Sequence, residues 1–115
     1  MKTIIKCAIL ALIGVSSIAE ADELTSAFLK KHCIRCHGSE DQSADRRFDT
    51  LSGQIKTLDD LERFQEIVDQ LNLQKMPPED EVQPTAEARA KLIERLTQRI
   101  TTAHSELNTS GGHSV

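Results

Sequence analysis

Cys33-Ile34-Arg35-Cys36-His37 brings two thiols and an imidazole together within five consecutive residues. Two thiols a single turn apart can reach the two vinyl-derived carbons on one edge of a porphyrin and form thioether bonds. The imidazole that follows then lies beneath the ring, where a neutral nitrogen binds iron well. The Cys-x-x-Cys-His run therefore reads as the attachment site of one c-type haem with its iron, held by Cys33, Cys36 and His37. Three other chemistries use paired cysteines. A thioredoxin-like redox pair expects a βαβ setting, and no strand-rich segment is present. A zinc site would draw on a second ligand pair at short spacing, which His32, His104, His113 and Cys7 do not form. A structural disulfide is compatible with an exported protein.

A haem iron held by His37 has a second face to fill or to leave open. Met76 is the candidate distal ligand, in the loop that leaves a helical segment, with Pro77 and Pro78 stiffening the backbone behind it. Thioether sulfur favours ferrous iron and raises the potential. A rigid loop helps to hold the weak iron–sulfur bond through a redox change. The competing role for Met76 is filling a gap in the core. His104 is the rival ligand, although it follows Ile100 on a helix face. His32 is expected to point away from the iron, and His113 lies in the tail.

The elements that must position these groups follow an export signal. Residues 1–21 have a positive start at Lys2 and Lys6, a run from Cys7 to Ile18 that is almost wholly apolar or small, and Ala19-Glu20-Ala21 as a small-x-small cleavage pattern. The apolar run is short for a membrane span, so cleavage into the periplasm or medium is expected, with an uncleaved anchor as the alternative. Cys7 would leave with the signal. Removing 21 of the 115 residues leaves 94, room for one small domain. Lys2, Lys6 and Glu20 leave too, taking the formal charge from −4 to −5. An acidic balance argues against nucleic-acid binding and suits a redox partner with a basic patch, although solubility alone explains it. With three Phe and no Tyr or Trp, the chain has little aromatic mass, a shortage that a haem would fill.

Periodicity predicts an all-α fold. A first helix is expected over about Asp22 to His32, leading straight into the cysteine motif, with Gly38 free to take a left-handed turn. Ser39 to Gln54 reads as a polar loop over one edge of the haem. A second helix starts at the capping-box pair Thr57 and Asp60, carries Leu61, Phe64, Ile67 or Val68, and Leu71 on one face, and ends near Leu73. A last helix opens with Thr85 as cap and runs to about His104 with Leu92, Leu96, Ile100 and Ala103 on one face. Residues 108–115 are expected to be a disordered tail, leaving 22–107 as the domain.

The order of these features resembles a class I cytochrome c domain. More narrowly it is similar to the planctomycete-type cytochrome c domain, through Phe28-Leu29-Lys30-Lys31-His32-Cys33, Phe48-Asp49-Thr50-Leu51, Gln70-Leu71, Lys75-Met76-Pro77-Pro78-Glu79-Asp80 and Gln83-Pro84. The resemblance implies three to four helices around a covalent haem, thioethers at Cys33 and Cys36, and axial ligation by His37 and Met76. It also implies that the first and last helices cross, Phe28 or Leu29 meeting Leu92, Leu96 or Ile100. Two departures stand out. No proline occurs between Gly38 and Met76 to offer its carbonyl to the second N–H of His37. Tyr and Trp donors for a haem propionate are absent; Arg46 or Arg47 could take that role as charge-assisted donors, although solvated loop arginines explain them equally simply.

The function expected from these readings is a periplasmic carrier of single electrons, not an enzyme, acting alone as a monomer or as a subunit, without stable membrane insertion once the signal is cleaved. Two alternatives stay open. One is a haem-based sensor in which a small ligand displaces Met76. The other is a module that passes electrons only inside a larger periplasmic oxidoreductase complex.

Overall fold

A computed structural model describes residues 17–51 and 53–110 of the chain. Among them there are three α-helices and no strand: α1 over Ser17–His32, α2 over Leu58–Asn72 and α3 over Ala86–Ser110. The all-α expectation holds. A short 3-10 turn, Ser43–Asp45, interrupts the long connection between α1 and α2.

α1 starts earlier than the cleavage pattern implied. Ser17–Ala21, the last part of the expected signal, already forms its first turn, while residues 1–16 lie outside the described residues. α3 runs six residues beyond the expected end at His104, so Asn108, Thr109 and Ser110 are helical where a tail was anticipated. Two local interactions explain the extension. Leu107 packs against the core, and the Thr109 hydroxyl donates to the Ser105 carbonyl at 2.7 Å. Residues 111–115 of the expected tail lie outside the described residues.

α3 is the helix on which the others lean, with α2 and α1 both packed against it. Its Leu92, Leu96, Ile100 and Ala103 form the buried stripe that periodicity indicates. α2 contributes Leu61, Phe64, Ile67, Val68 and Leu71, and α1 contributes Phe28 and Leu29, all within one cluster. The implied meeting of the first and last helices is present. Phe48 and Leu51 from the long connection close the same core, which pins that polar segment at two points. Burying an aliphatic or aromatic side chain contributes roughly 1.5–3 kcal/mol, so these two residues oppose the entropy of ordering a segment that has little other regular structure.

Both ends of α2 are closed by specific hydrogen bonds. At the start, the Asp60 N–H donates to the Thr57 hydroxyl at 3.0 Å, while Asp60 Oδ2 accepts from the N–H groups of Thr57 at 3.1 Å and Lys56 at 3.0 Å. At the end, the Gln74 N–H donates to the Leu71 carbonyl at 3.2 Å and the Lys75 N–H to the Gln70 carbonyl at 3.1 Å. This paired pattern is a Schellman motif, and its left-handed position is held by Gln74 at φ 53°. The motif turns the chain sharply just before Met76.

Two predictions concern these caps. A side chain at left-handed φ costs about 1 kcal/mol that glycine avoids, so Gln74→Gly is expected to raise the unfolding free energy by about 0.5–1 kcal/mol, read from the urea midpoint. Burial alone would raise the Asp60 carboxyl, but donors from Lys56 and Thr57 and the charge of Arg63 outweigh it and hold it below the usual carboxylate range. A depressed folded value stabilises fully above the unfolded value of about 4 and is lost as pH falls through the lower folded one. Urea midpoints followed from about pH 6 to about pH 3 should therefore fall less steeply in Asp60→Asn than in the unaltered chain.

Candidate functional site

The cysteine motif is a continuation of α1. The Cys33 and Ile34 N–H groups both donate to the Leu29 carbonyl, at 2.8 and 2.9 Å, and the Cys36 and His37 N–H groups both donate to the Cys33 carbonyl, at 3.2 and 3.0 Å, so the helix passes directly into a run of turns. A cavity of about 480 Å³ opens beside it. This lies within the 300–1,000 Å³ range typical of cofactor and small-molecule sites. Cys33, Cys36, His37 and Met76 all line it, although Met76 arrives from the connection between α2 and α3. The fold thus brings together all four residues singled out from the sequence.

His37 is fixed from the 46–48 segment. Its Nδ1 lies 3.1 Å from the Arg46 backbone carbonyl. A carbonyl oxygen only accepts, so Nδ1 carries the proton and the neutral ring keeps its lone pair on Nε2. The Phe48 N–H donates to the His37 carbonyl at 2.7 Å, and the Phe48 ring tilts against the imidazole at 5.1 Å between centroids. The missing proline is thereby answered: Arg46, a non-proline residue, supplies the carbonyl. The sequence holds no signal for it, because a backbone acceptor has no residue-type signature.

Gly38 corrects an expectation. It does not take up the left-handed region, which among the described glycines belongs to Gly53 at φ 80°. A Cβ at position 38 would instead fall against the Ile34 carbonyl oxygen, which belongs to the cysteine motif itself. The requirement is close approach rather than handedness.

The histidines divide. His32 lies on the cavity wall, its ring tilted against Phe28 at 4.8 Å between centroids and its Nδ1 3.2 Å from the Val82 carbonyl. His104 is exposed on α3 and does not line the cavity, and His113 lies outside the described residues. The two loop arginines have carboxylate partners. Arg47 pairs with Asp49 at 2.7 Å, and Arg46, which does line the cavity, pairs with Glu66 of α2 at 2.8 Å. Arg35 reaches Glu81 at 3.0 Å across the cavity rim.

The Cys33 thiol lacks the lowered pKa of a reactive redox cysteine. Cys33 and Cys36 are both free, and burial pushes the Cys33 thiol up to about 12. Reactive redox pairs show the opposite shift. Among the described residues no group of three or more His, Cys, Asp or Glu is placed to hold a metal ion, which leaves the zinc alternative without a ligand set. Two free thiols, an imidazole with a free Nε2 and a thioether around one cavity are the donor set for a covalently held haem.

Comparison with known proteins agrees. Residues 33–80 match the family described as Planctomycete cytochrome C. The matched segment is similar to the planctomycete-type cytochrome c domain, a haem-binding electron-transfer family whose haem c is covalently bound. No curated protein and no solved structure matches the chain.

A Gly38→Ala substitution tests the close approach. Forcing a methyl group against a backbone carbonyl typically costs 1–3 kcal/mol, and about that loss is expected here. The urea midpoint of Gly38→Ala should drop accordingly, whereas Gly38→Ala with a wild-type midpoint would show that the turn relaxes freely.

Proposed function

We propose that the chain is an exported c-type cytochrome with a single haem that carries single electrons, its iron ligated by His37 and Met76. The observation that carries this reading is the hydrogen bond from His37 Nδ1 to the Arg46 carbonyl, which leaves Nε2 free on a cavity shared with Cys33, Cys36 and Met76.

When bound, the haem supplies the one-electron chemistry of its iron. The chain's own residues set the conditions. Cys33 and Cys36 tether the group at the end of α1, so it stays bound in both oxidation states. The Arg46 carbonyl keeps the His37 ring in one tautomer and one orientation. Met76 offers a soft sulfur, which biases the couple toward the ferrous state. Phe48, Ile67 and Leu71 give the cavity an apolar wall and exclude water, while Arg46 and Glu66 balance each other's charge at its edge.

Export follows from the segment 1–21, read as a cleaved signal. Among the described residues no helix is long and apolar enough to cross a membrane. The acidic balance favours a redox partner with a basic patch, met by a monomer or within a complex. A second reading is a haem module that senses or binds a small ligand, which displaces Met76.

Spectra of the exported protein test both readings. The electron-carrier reading predicts the weak long-wavelength band of thioether sulfur on ferric haem and its loss in Met76→Ala, together with a lower reduction potential. A high-spin spectrum in the unaltered protein, or ready carbon monoxide binding by its ferrous form, would favour the second reading instead.

A further inference from the structure

Arg89 lies in the first turn of α3, where a cation meets the positive end of the helix dipole and gains nothing from it. Its guanidinium is engaged elsewhere. Nη1 donates to the Met76 carbonyl at 3.0 Å and to the Leu71 carbonyl at 3.3 Å, and Nη2 donates to Gln83 Oε1 at 3.1 Å. The Gln83 amide nitrogen in turn donates to the carbonyls of Pro78 at 2.7 Å, Pro77 at 3.1 Å and Glu81 at 3.2 Å.

The local chemistry explains why such a brace is needed. Pro77 and Pro78 have no N–H, so this stretch lacks two backbone donors and cannot build a ladder of its own. Side-chain donors from Arg89 and Gln83 take their place. The Leu71 carbonyl belongs to the last turn of α2, the negative end of that helix, where a guanidinium is favoured. One side chain therefore ties the end of α2, the backbone of Met76 and the following loop to α3.

We propose that Arg89 is a positioning residue for Met76, holding the Met76 backbone by its carbonyl so that the thioether stays on the cavity. The inference rests on the reading of Met76 as an axial ligand. Rotation of the side chain already offers the thioether some displaced positions, and a free backbone would add others, which the bond from Arg89 to the Met76 carbonyl removes. An external ligand can bind iron only in the fraction of molecules whose thioether is displaced, so its apparent affinity measures that fraction. Arg89 keeps the fraction small, with Gln83 as the second arm of the brace.

The test is an imidazole titration of the ferric holoprotein, comparing the unaltered chain with Arg89→Ala, Arg89→Lys and Lys91→Ala. Hydrogen bonds from a charged donor contribute enough that Arg89→Ala should bind imidazole about tenfold more tightly or better. Arg89→Lys keeps the charge without the forked donor and should recover part of the difference. Lys91, whose ion pair with Glu87 is exposed on the same helix, should behave as the unaltered chain when changed to Ala. A merely structural Arg89 would lower the urea midpoint and leave imidazole affinity unchanged, and that result overturns the proposal. If Arg89→Ala does not fold, Gln83→Ala decides, with a smaller tightening expected and unchanged affinity counting against the brace. Absence of the thioether band from the unaltered protein would overturn the Met76 reading and this inference together. Its presence with unchanged affinities would overturn this inference alone.

Discussion

The contact between His37 Nδ1 and the Arg46 carbonyl, at 3.1 Å, is the constraint from which the rest of the site follows. A free imidazole offers either nitrogen to a metal. Committing Nδ1 to an acceptor removes that choice and leaves one lone pair in one direction. The commitment requires the 46–48 segment to lie beside the motif, and the fold secures it there with Phe48. Its N–H holds the His37 carbonyl, its ring lies against the imidazole and its side chain is buried in the core. The connection between α1 and α2 is irregular because its task is to approach His37, not to form an element.

The two sides of the cavity are built differently. On the side of the cysteine motif, α1 passes directly into turns closed by backbone hydrogen bonds, so the thiols are placed by local backbone structure. On the Met76 side, α2 stops in a Schellman motif and two prolines follow, so the backbone arrives with few donors and is held by side chains from later in the chain. In the proposed arrangement, the proximal ligand is fixed locally and the distal ligand depends on long-range contacts. In that arrangement a weak ligand held from a distance is the more adjustable of the two, and ligand exchange would be governed there.

How much of this was legible in the sequence depended on the kind of signal. Thr57 and Asp60 predicted the start of α2 because capping uses specific side chains at fixed spacing. Leu92, Leu96, Ile100 and Ala103 were read as a buried stripe from helical period alone, and they are buried. Cys33, Cys36, His37 and Met76 stand out in the sequence because covalent and metal-binding chemistry needs particular side chains, and the fold sets all four on one cavity. Backbone chemistry was not legible: the Arg46 carbonyl is available on any residue, so its role appears only once the chain is folded. Gly38 was read through its usual freedom at positive φ, whereas close approach to Ile34 is a tertiary fact. The start of α1 lies before the cleavage pattern and the end of α3 lies beyond the point where polar residues suggest a tail. Neither cue reports helix continuation.

The central claim is that Cys33 and Cys36 carry a haem through thioether bonds, and its most direct test is a mass. The protein would be produced in a host that attaches c-type haem, denatured in acid, treated with a thiol-alkylating reagent and weighed intact. The account predicts a chain heavier by one haem, with Cys33 and Cys36 both closed to alkylation. A chain of unmodified mass with both cysteines alkylated would contradict it.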